Sequence, residues 1–264
     1  MKCLICEQEA NLLMKGEILH KHTISYYSCS LCECIFTEQP YWLDEAYQDS
    51  ISSLDTGIMA RNINICEQLM MLFTSNFNST IKVVDYGGGY GILTRLLRDK
   101  GIDAYWSDKF CENLLAKGFE YNGTDPVDVM LAFEVMEHLP NPQQTIHEIM
   151  SKTNCFIFST ELLEKINYSS NKDWWYFMPD AGQHVFFSSK TSMLKIAEKL
   201  KCQNLYFNGL HILYKPEFIN IKKPTIIKRI ALRIISKLNS IVRSEASFKS
   251  KTWDDHLAIK AINY

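Results

Sequence analysis

Apolar and polar positions along the chain change period several times. Between residues 81 and 159, short apolar runs alternate with stretches of helical spacing. Strands are predicted at 81–85, 103–107, 128–133 and 155–159, with helices from about 90 to 100, near 112–117 and after Pro142. Strands that alternate with helices imply right-handed crossovers and a parallel sheet covered on both faces. Upstream, Ile63, Cys66, Leu69, Met70 and Phe73 recur at helical spacing, so 40–80 is read as a helical lead-in covering one sheet face. Downstream, a helix over about 191–201 precedes strands near 204–207 and 211–214, close enough to form a hairpin. In 225–243, Ile227, Ile230, Ile234, Leu238 and Ile241 share one helical face, and Lys228, Arg229, Arg233 and Lys237 the other. That is a basic amphipathic helix.

Composition narrows the setting. With 47% hydrophobic and 22% charged residues among 264, the chain is expected to fold around one main domain. A formal net charge of −2 gives no general attraction to nucleic acid, which is therefore not favoured as a partner. The start lacks the pattern of a signal peptide and no apolar stretch is long enough to span a bilayer, so a cytoplasmic location is expected. The basic helix leaves two readings open: peripheral contact with the inner membrane face through 225–243, or packing of its apolar stripe on its own domain or a second subunit. Nine cysteines, an odd number, argue for reduced thiols. Four of them form two CxxC pairs, Cys3 with Cys6 and Cys29 with Cys32, and two such turns complete a tetrahedral Zn²⁺ site. With every position filled by a thiolate the ion is expected to be structural, and Cys34 is the substitute if one ligand is misassigned.

The strand ending at Asp85 runs into Gly87-x-Gly89-x-Gly91, which brings backbone close to a ligand just before a helix begins. The spacing is DxGxGxG and not the GxGxxG of a pyrophosphate-binding turn. S-adenosylmethionine has no phosphate, and its ammonium suits an acidic residue at the strand end. Asp108 closes the next strand, where a carboxylate can accept from both ribose hydroxyls. A tight strand-to-helix turn without a ligand is the plainer alternative.

These residues carry a family resemblance. VVDYGGGYG at 83–91, WSD at 106–108 and DVMLAFEVMEHLP at 128–140 resemble, in order, three motifs of class I S-adenosylmethionine-dependent methyltransferases. The resemblance covers roughly 60–214, and DAGQHVFFS at 180–188 is similar to the stretch after the fifth strand in members acting on small molecules or sugars. It implies that Asp85, Gly87, Gly89 and Gly91 hold the methionine part and Asp108 the ribose. Phe133 and Glu134 would border the adenine or the methyl group. The fold implied is α/β, a Rossmann-like, doubly wound, mostly parallel sheet with a C-terminal hairpin. An N-terminal zinc ribbon (1–39) and the helical lead-in (40–80) precede the methyltransferase domain (81–216), and a basic helical tail (217–264) follows. A zinc ribbon ahead of such a domain is similar to bacterial sugar- and polysaccharide-pathway methyltransferases, so the acceptor expected is a hydroxyl, or other nucleophile, of a sugar, nucleotide sugar or glycan intermediate, a small-molecule or glycan partner. RNA methylation and an inactive zinc-containing binding module are the competing readings.

Catalysis then needs a nucleophile in line with the methyl group and a base to take its proton. Glu137, His138 and His184 are the candidates. Glu137 and His138 equally suit a loop-shaping role, and His184 a satisfied position closing a sheet edge. The aromatic block Trp174 to Phe177 reads as an acceptor-site lid or as core beneath a loop. Arg61 reads as a partner for a carboxylate or phosphate, or as a solvated helix arginine.

Overall fold

The computed structural model describes residues 1–47, 55–163, 174–226 and 249–263. Ten strands are defined among them: β1 Asn11–Ile18, β2 His22–Ser28, β3 Ile35–Thr37, β4 Lys82–Tyr86, β5 Asp103–Ser107, β6 Val129–Ala132, β7 Cys155–Phe158, β8 Phe186–Phe187, β9 Gln203–Phe207 and β10 Leu210–Tyr214. The helices are α1 Leu43–Ala46, α2 Ile58–Asn76, α3 Ile92–Asp99, α4 Pro142–Lys152, α5 Lys190–Lys199 and α6 Thr252–Asn263. The chain forms two compact units, each assembled from separated stretches: 1–54 with 132–216, and 55–131 with 217–264.

In the second of these units β4 lies between β5 and β6, parallel to both. Val83 and Val84 of β4 and all of β6 are buried, as strands covered on both faces require. Helix α3 turns Ile92, Leu93 and Leu97 inward. The helix expected near 112–117 does not form. Asn113 Oδ1 accepts from the N–H of Ala116, and the N–H groups of Leu114 and Leu115 donate to the Tyr90 carbonyl. A side chain that satisfies local backbone competes with the helical ladder, and this segment is too short to overcome it.

The first unit holds an antiparallel sheet in the order β1-β2-β3-β8. Ile18, Ile24, Tyr26, Ile35, Trp42 and Phe187 form its core with Tyr176 and Phe177. Strand β10 pairs antiparallel with β7 and with β9. The β9–β10 hairpin turns on Asn208 and Gly209, both at positive φ (50° and 87°), the geometry a two-residue hairpin loop demands. The parallel pairs of β4 and the antiparallel pairs of the expected C-terminal hairpin make the strand directions mixed. A two-residue loop returns the chain antiparallel, and β10 takes that direction to its other neighbour, β7. The basic helix expected at 225–243 lies outside the described residues except for its first two positions.

Candidate functional site

The glycine loop follows β4 directly. Gly87, Gly89 and Gly91 adopt φ of 71°, 54° and 85°, the left-handed region that side chains with a Cβ resist. Gly88 has another reason to be glycine. A Cβ there would stand 2.8 Å from the Trp106 ring and 3.0 Å from Asp85 Oδ2. The loop is braced by its own neighbours: Gly89 N–H donates to Asp108 Oδ2 (2.9 Å), and Trp106 Nε1–H donates to the Gly89 carbonyl (2.8 Å). Asp108 Oδ1 also accepts from the N–H groups of Phe110 and Cys111. Both Asp108 oxygens thus shape the loop, and Oδ2, with a single donor, keeps a lone pair for a hydroxyl.

Asp85 is buried beneath the loop, where Oδ2 accepts from Thr94 Oγ1 at 3.0 Å. Burial, together with the Asp108 charge, pushes its carboxyl up to about 7 despite the Thr94 bond. A cationic ligand would reverse that push. Helix α3 begins at Gly91 with no side-chain cap, which leaves first-turn N–H groups for an anionic one. These residues fit the amino acid and ribose of S-adenosylmethionine. The roles of Thr94 and Trp106 escape sequence reasoning, since only the folded register brings them to Asp85 and Gly89.

The first unit gathers the candidate base residues. Glu137, His138 and His184 each place one ligand-capable atom so that all three lie within 4.8 Å of one another. Glu137 has no exposed surface, and neither of its oxygens has a hydrogen-bond partner. Burial raises its carboxyl to about 8, and the Glu134 charge adds to the rise. Burial lowers His138 to about 3 and His184 to about 4, so both rings are neutral near pH 7. His184 Nδ1–H donates to the Tyr176 carbonyl (2.6 Å), which leaves Nε2 with its lone pair. The His138 Nδ1 meets the Tyr47 hydroxyl at 2.8 Å, and the two imidazoles stack edge to face at 4.9 Å. Glu134 is exposed and at φ 55°, and its carboxylate accepts from Ser159 Oγ (2.7 Å); Phe133 beside it is half-buried. In the aromatic block Tyr176 and Phe177 are core, and Trp175 is 68% exposed. Only Trp175 is left free for the lid reading. Arg61, in the second unit, forms a bidentate pair with Asp55.

Near the N-terminus two matching turns converge. In each CxxC turn the N–H after the second cysteine donates to the carbonyl of the first: Glu7 to Cys3 and Glu33 to Cys29. Both glutamates sit at positive φ, 63° and 54°. The Sγ atoms of Cys3, Cys6, Cys29 and Cys32 lie within 4.8 Å of one another, and Cys6 and Cys29 are 3.5 Å apart. A tetrahedral zinc ion with bonds of about 2.3 Å spaces its sulfurs by about 3.8 Å. The Ile5 N–H points at Cys3 Sγ, and the Cys32 N–H at Cys29 Sγ. Cys34, buried 3.7 Å from Cys3, bonds Cys3 and Cys32 and draws them down to about 4 and about 7. Burial instead raises Cys6 and Cys29. The arrangement fits a tetrathiolate ion site.

A glycine loop between a parallel strand and a helix, with acidic residues at the ends of two adjacent strands, is the arrangement that the resemblance to S-adenosylmethionine-dependent methyltransferases implies. The family described as "Methyltransferase domain" matches residues 59–206, more than half of the chain, and the chain belongs to that family. No curated protein matches the sequence. Among solved structures it is similar to the magnesium protoporphyrin IX methyltransferase of Synechocystis PCC 6803 with bound SAH (16% identity, 65% of this chain and 90% of that one, TM-score 0.44). It is also similar to the mitomycin 7-O-methyltransferase (13%, 65% and 59%, TM-score 0.43). A third is an O-methyltransferase family 2 protein from Planctomyces limnophilus DSM 3776, in complex with apigenin (11%, 64% and 63%, TM-score 0.42). Among the described residues no helix is long and apolar enough to cross a membrane.

Proposed function

We propose that this methyltransferase acts on a hydroxyl of a sugar, nucleotide sugar or glycan intermediate. The bound cofactor supplies a methyl group made electrophilic by its sulfonium. As the new C–O bond forms and the S–C bond breaks, the bond pair stays on sulfur and the acceptor oxygen must lose its proton. The observation that carries the reading is the cluster of buried Glu137 and His184 with half-buried His138, in which a neutral His184 imidazole is held by Tyr176 so that Nε2 is a proton acceptor. In the same reading Asp85 and the α3 first turn orient the amino acid end of the cofactor, and Asp108 its ribose. The four cysteines hold a structural Zn²⁺ ion. Trp175 offers an exposed aromatic face of the kind that stacks on a sugar ring. The net charge of −2 speaks against an RNA acceptor.

The test is transfer of labelled methyl from S-adenosylmethionine to a panel of nucleotide sugars and glycans, with RNA as competitor. Label in a sugar methyl ether, undiminished by RNA, is the expected result. Label in RNA overturns the acceptor class, and absence of cofactor binding in calorimetry overturns the enzyme reading itself.

A further inference from the structure

The Glu137 carboxyl is an anomaly on physical grounds. It lies wholly inside the protein with no well-formed hydrogen bond to either oxygen and only its own N–H and the nearby Tyr176 and Thr160 hydroxyls to favour its charge, an arrangement that costs several kcal/mol unless a cation or a proton joins it. Its companions are lone-pair donors. Glu137, His138 and His184 each present one atom within 4.8 Å of the others, and bonds of about 2.0–2.2 Å to a shared ion place ligand atoms about 3–4 Å apart. The histidines are also oriented as metal ligands are. His184 gives Nδ1–H to a backbone carbonyl, and His138 meets the Tyr47 hydroxyl through Nδ1, so the second nitrogen of each ring remains for coordination. Val185 N–H donates to the Glu137 carbonyl at 2.8 Å, tying the segment that carries His184 to the turn that carries the other two.

We propose that Glu137, His138 and His184 form a second metal site, separate from the cysteine cluster, that takes one divalent first-row transition ion. Two imidazoles and one carboxylate fill three positions and leave others open to an oxygen ligand, unlike the closed tetrathiolate set. An ion there takes up the His184 Nε2 lone pair, so in the loaded protein the imidazole is a ligand and not the base; the ion instead lowers the proton affinity of a water or hydroxyl that it binds. The assignment of that oxygen to the acceptor rests on the hydroxyl-acceptor reading above; the ion site itself does not.

Co²⁺ titration of the full-length protein, stripped of metal, tests the proposal. Two equivalents are expected: one with intense thiolate-to-metal absorption, and one with only weak d–d bands. Glu137→Gln and His184→Gln should each lose the second equivalent, with affinity weakened on the order of 100-fold, and keep the thiolate signal. Tyr47→Phe, which removes the hydroxyl behind His138, should weaken it about tenfold. Retained thiolate absorption and unchanged far-UV circular dichroism report that each variant is folded. A single equivalent in the wild type, or two in both glutamine variants, overturns the site. Two equivalents with no methyl transfer to any hydroxyl leave the site standing and remove the acceptor reading. Transfer that proceeds unchanged after the second ion is removed refutes its role in the reaction.

Discussion

Asp85 is held between two opposing demands. The protein interior favours its neutral form, with a carboxyl raised to about 7 from 3.8. In the free enzyme the folded state therefore binds more protons than the unfolded one between those values, so ionising Asp85 costs stability as pH rises through about 7. A ligand ammonium reverses the preference. Cofactor affinity is expected to rise roughly tenfold between pH 6 and 8, because the ionised fraction grows by that factor across a pKa of about 7. Calorimetry across that range checks this, and Asp85→Asn should bind weakly with a flat profile; a flat wild-type profile removes Asp85 from cofactor binding. Asp108 carries a different load, since three backbone N–H groups converge on it. Asp108→Ala is expected to weaken the cofactor by on the order of 10–100-fold through a collapsed loop as well as a lost acceptor. Both aspartates and the glycines stand out in the sequence by chemistry and spacing. Thr94, Trp106, Tyr176 and Ser159 do not, because a residue that braces another is ordinary until the fold gives it a partner.

Elements were legible where period and punctuation agreed. Strand β5 spans Asp103–Ser107, the predicted 103–107, and Asn208-Gly209 makes the hairpin turn between β9 and β10. The failed helix near 112–117 had apolar residues at helical spacing but no length, and Asn113 used its side chain to close a turn instead. The glycine loop shows the converse, a position whose importance no spacing rule marked. Gly88 is an unspecified position of the DxGxGxG spacing, yet a Cβ there would crowd the Trp106 ring. Gly88→Ala is expected to cost about 1–3 kcal/mol, read as a fall of several degrees in thermal midpoint, and to weaken cofactor binding. An unchanged midpoint would mean that the ring moves aside freely.

At the scale of the whole molecule, each unit is closed by residues distant in sequence. In the unit formed by 55–131 and 217–264, helix α6 returns Asp255 to Arg98, with contacts of 2.7 and 2.8 Å, and the Arg98 guanidinium lies 3.6 Å over the Phe119 ring. Both members are buried, and without Asp255 the Arg98 guanidinium keeps only Asp103 Oδ1 and the Ala104 carbonyl as acceptors; Asp255→Ala is expected to cost about 1.5–3 kcal/mol in urea unfolding. Burial alone would raise the Asp255 carboxyl, but Arg98 and Arg95 outweigh it and hold it below its usual value. Its stabilisation is therefore present above pH 3.8 and lost as pH falls through the lower folded value. In the other unit, chelation of the proposed zinc should lower the thermal midpoint, and Cys29→Ser should do so without added chelator. The sequence by itself determined the α/β alternation, the glycine loop and the paired CxxC turns, because period, glycine placement and thiol spacing are local properties of the chain. Only tertiary structure decided that β10 runs antiparallel to β7, that a distant C-terminal helix reaches Arg98, and that Glu137 and His184, 47 residues apart, come together in one cluster. Burial and partnership depend on what the fold brings alongside a residue, and no local pattern carries that.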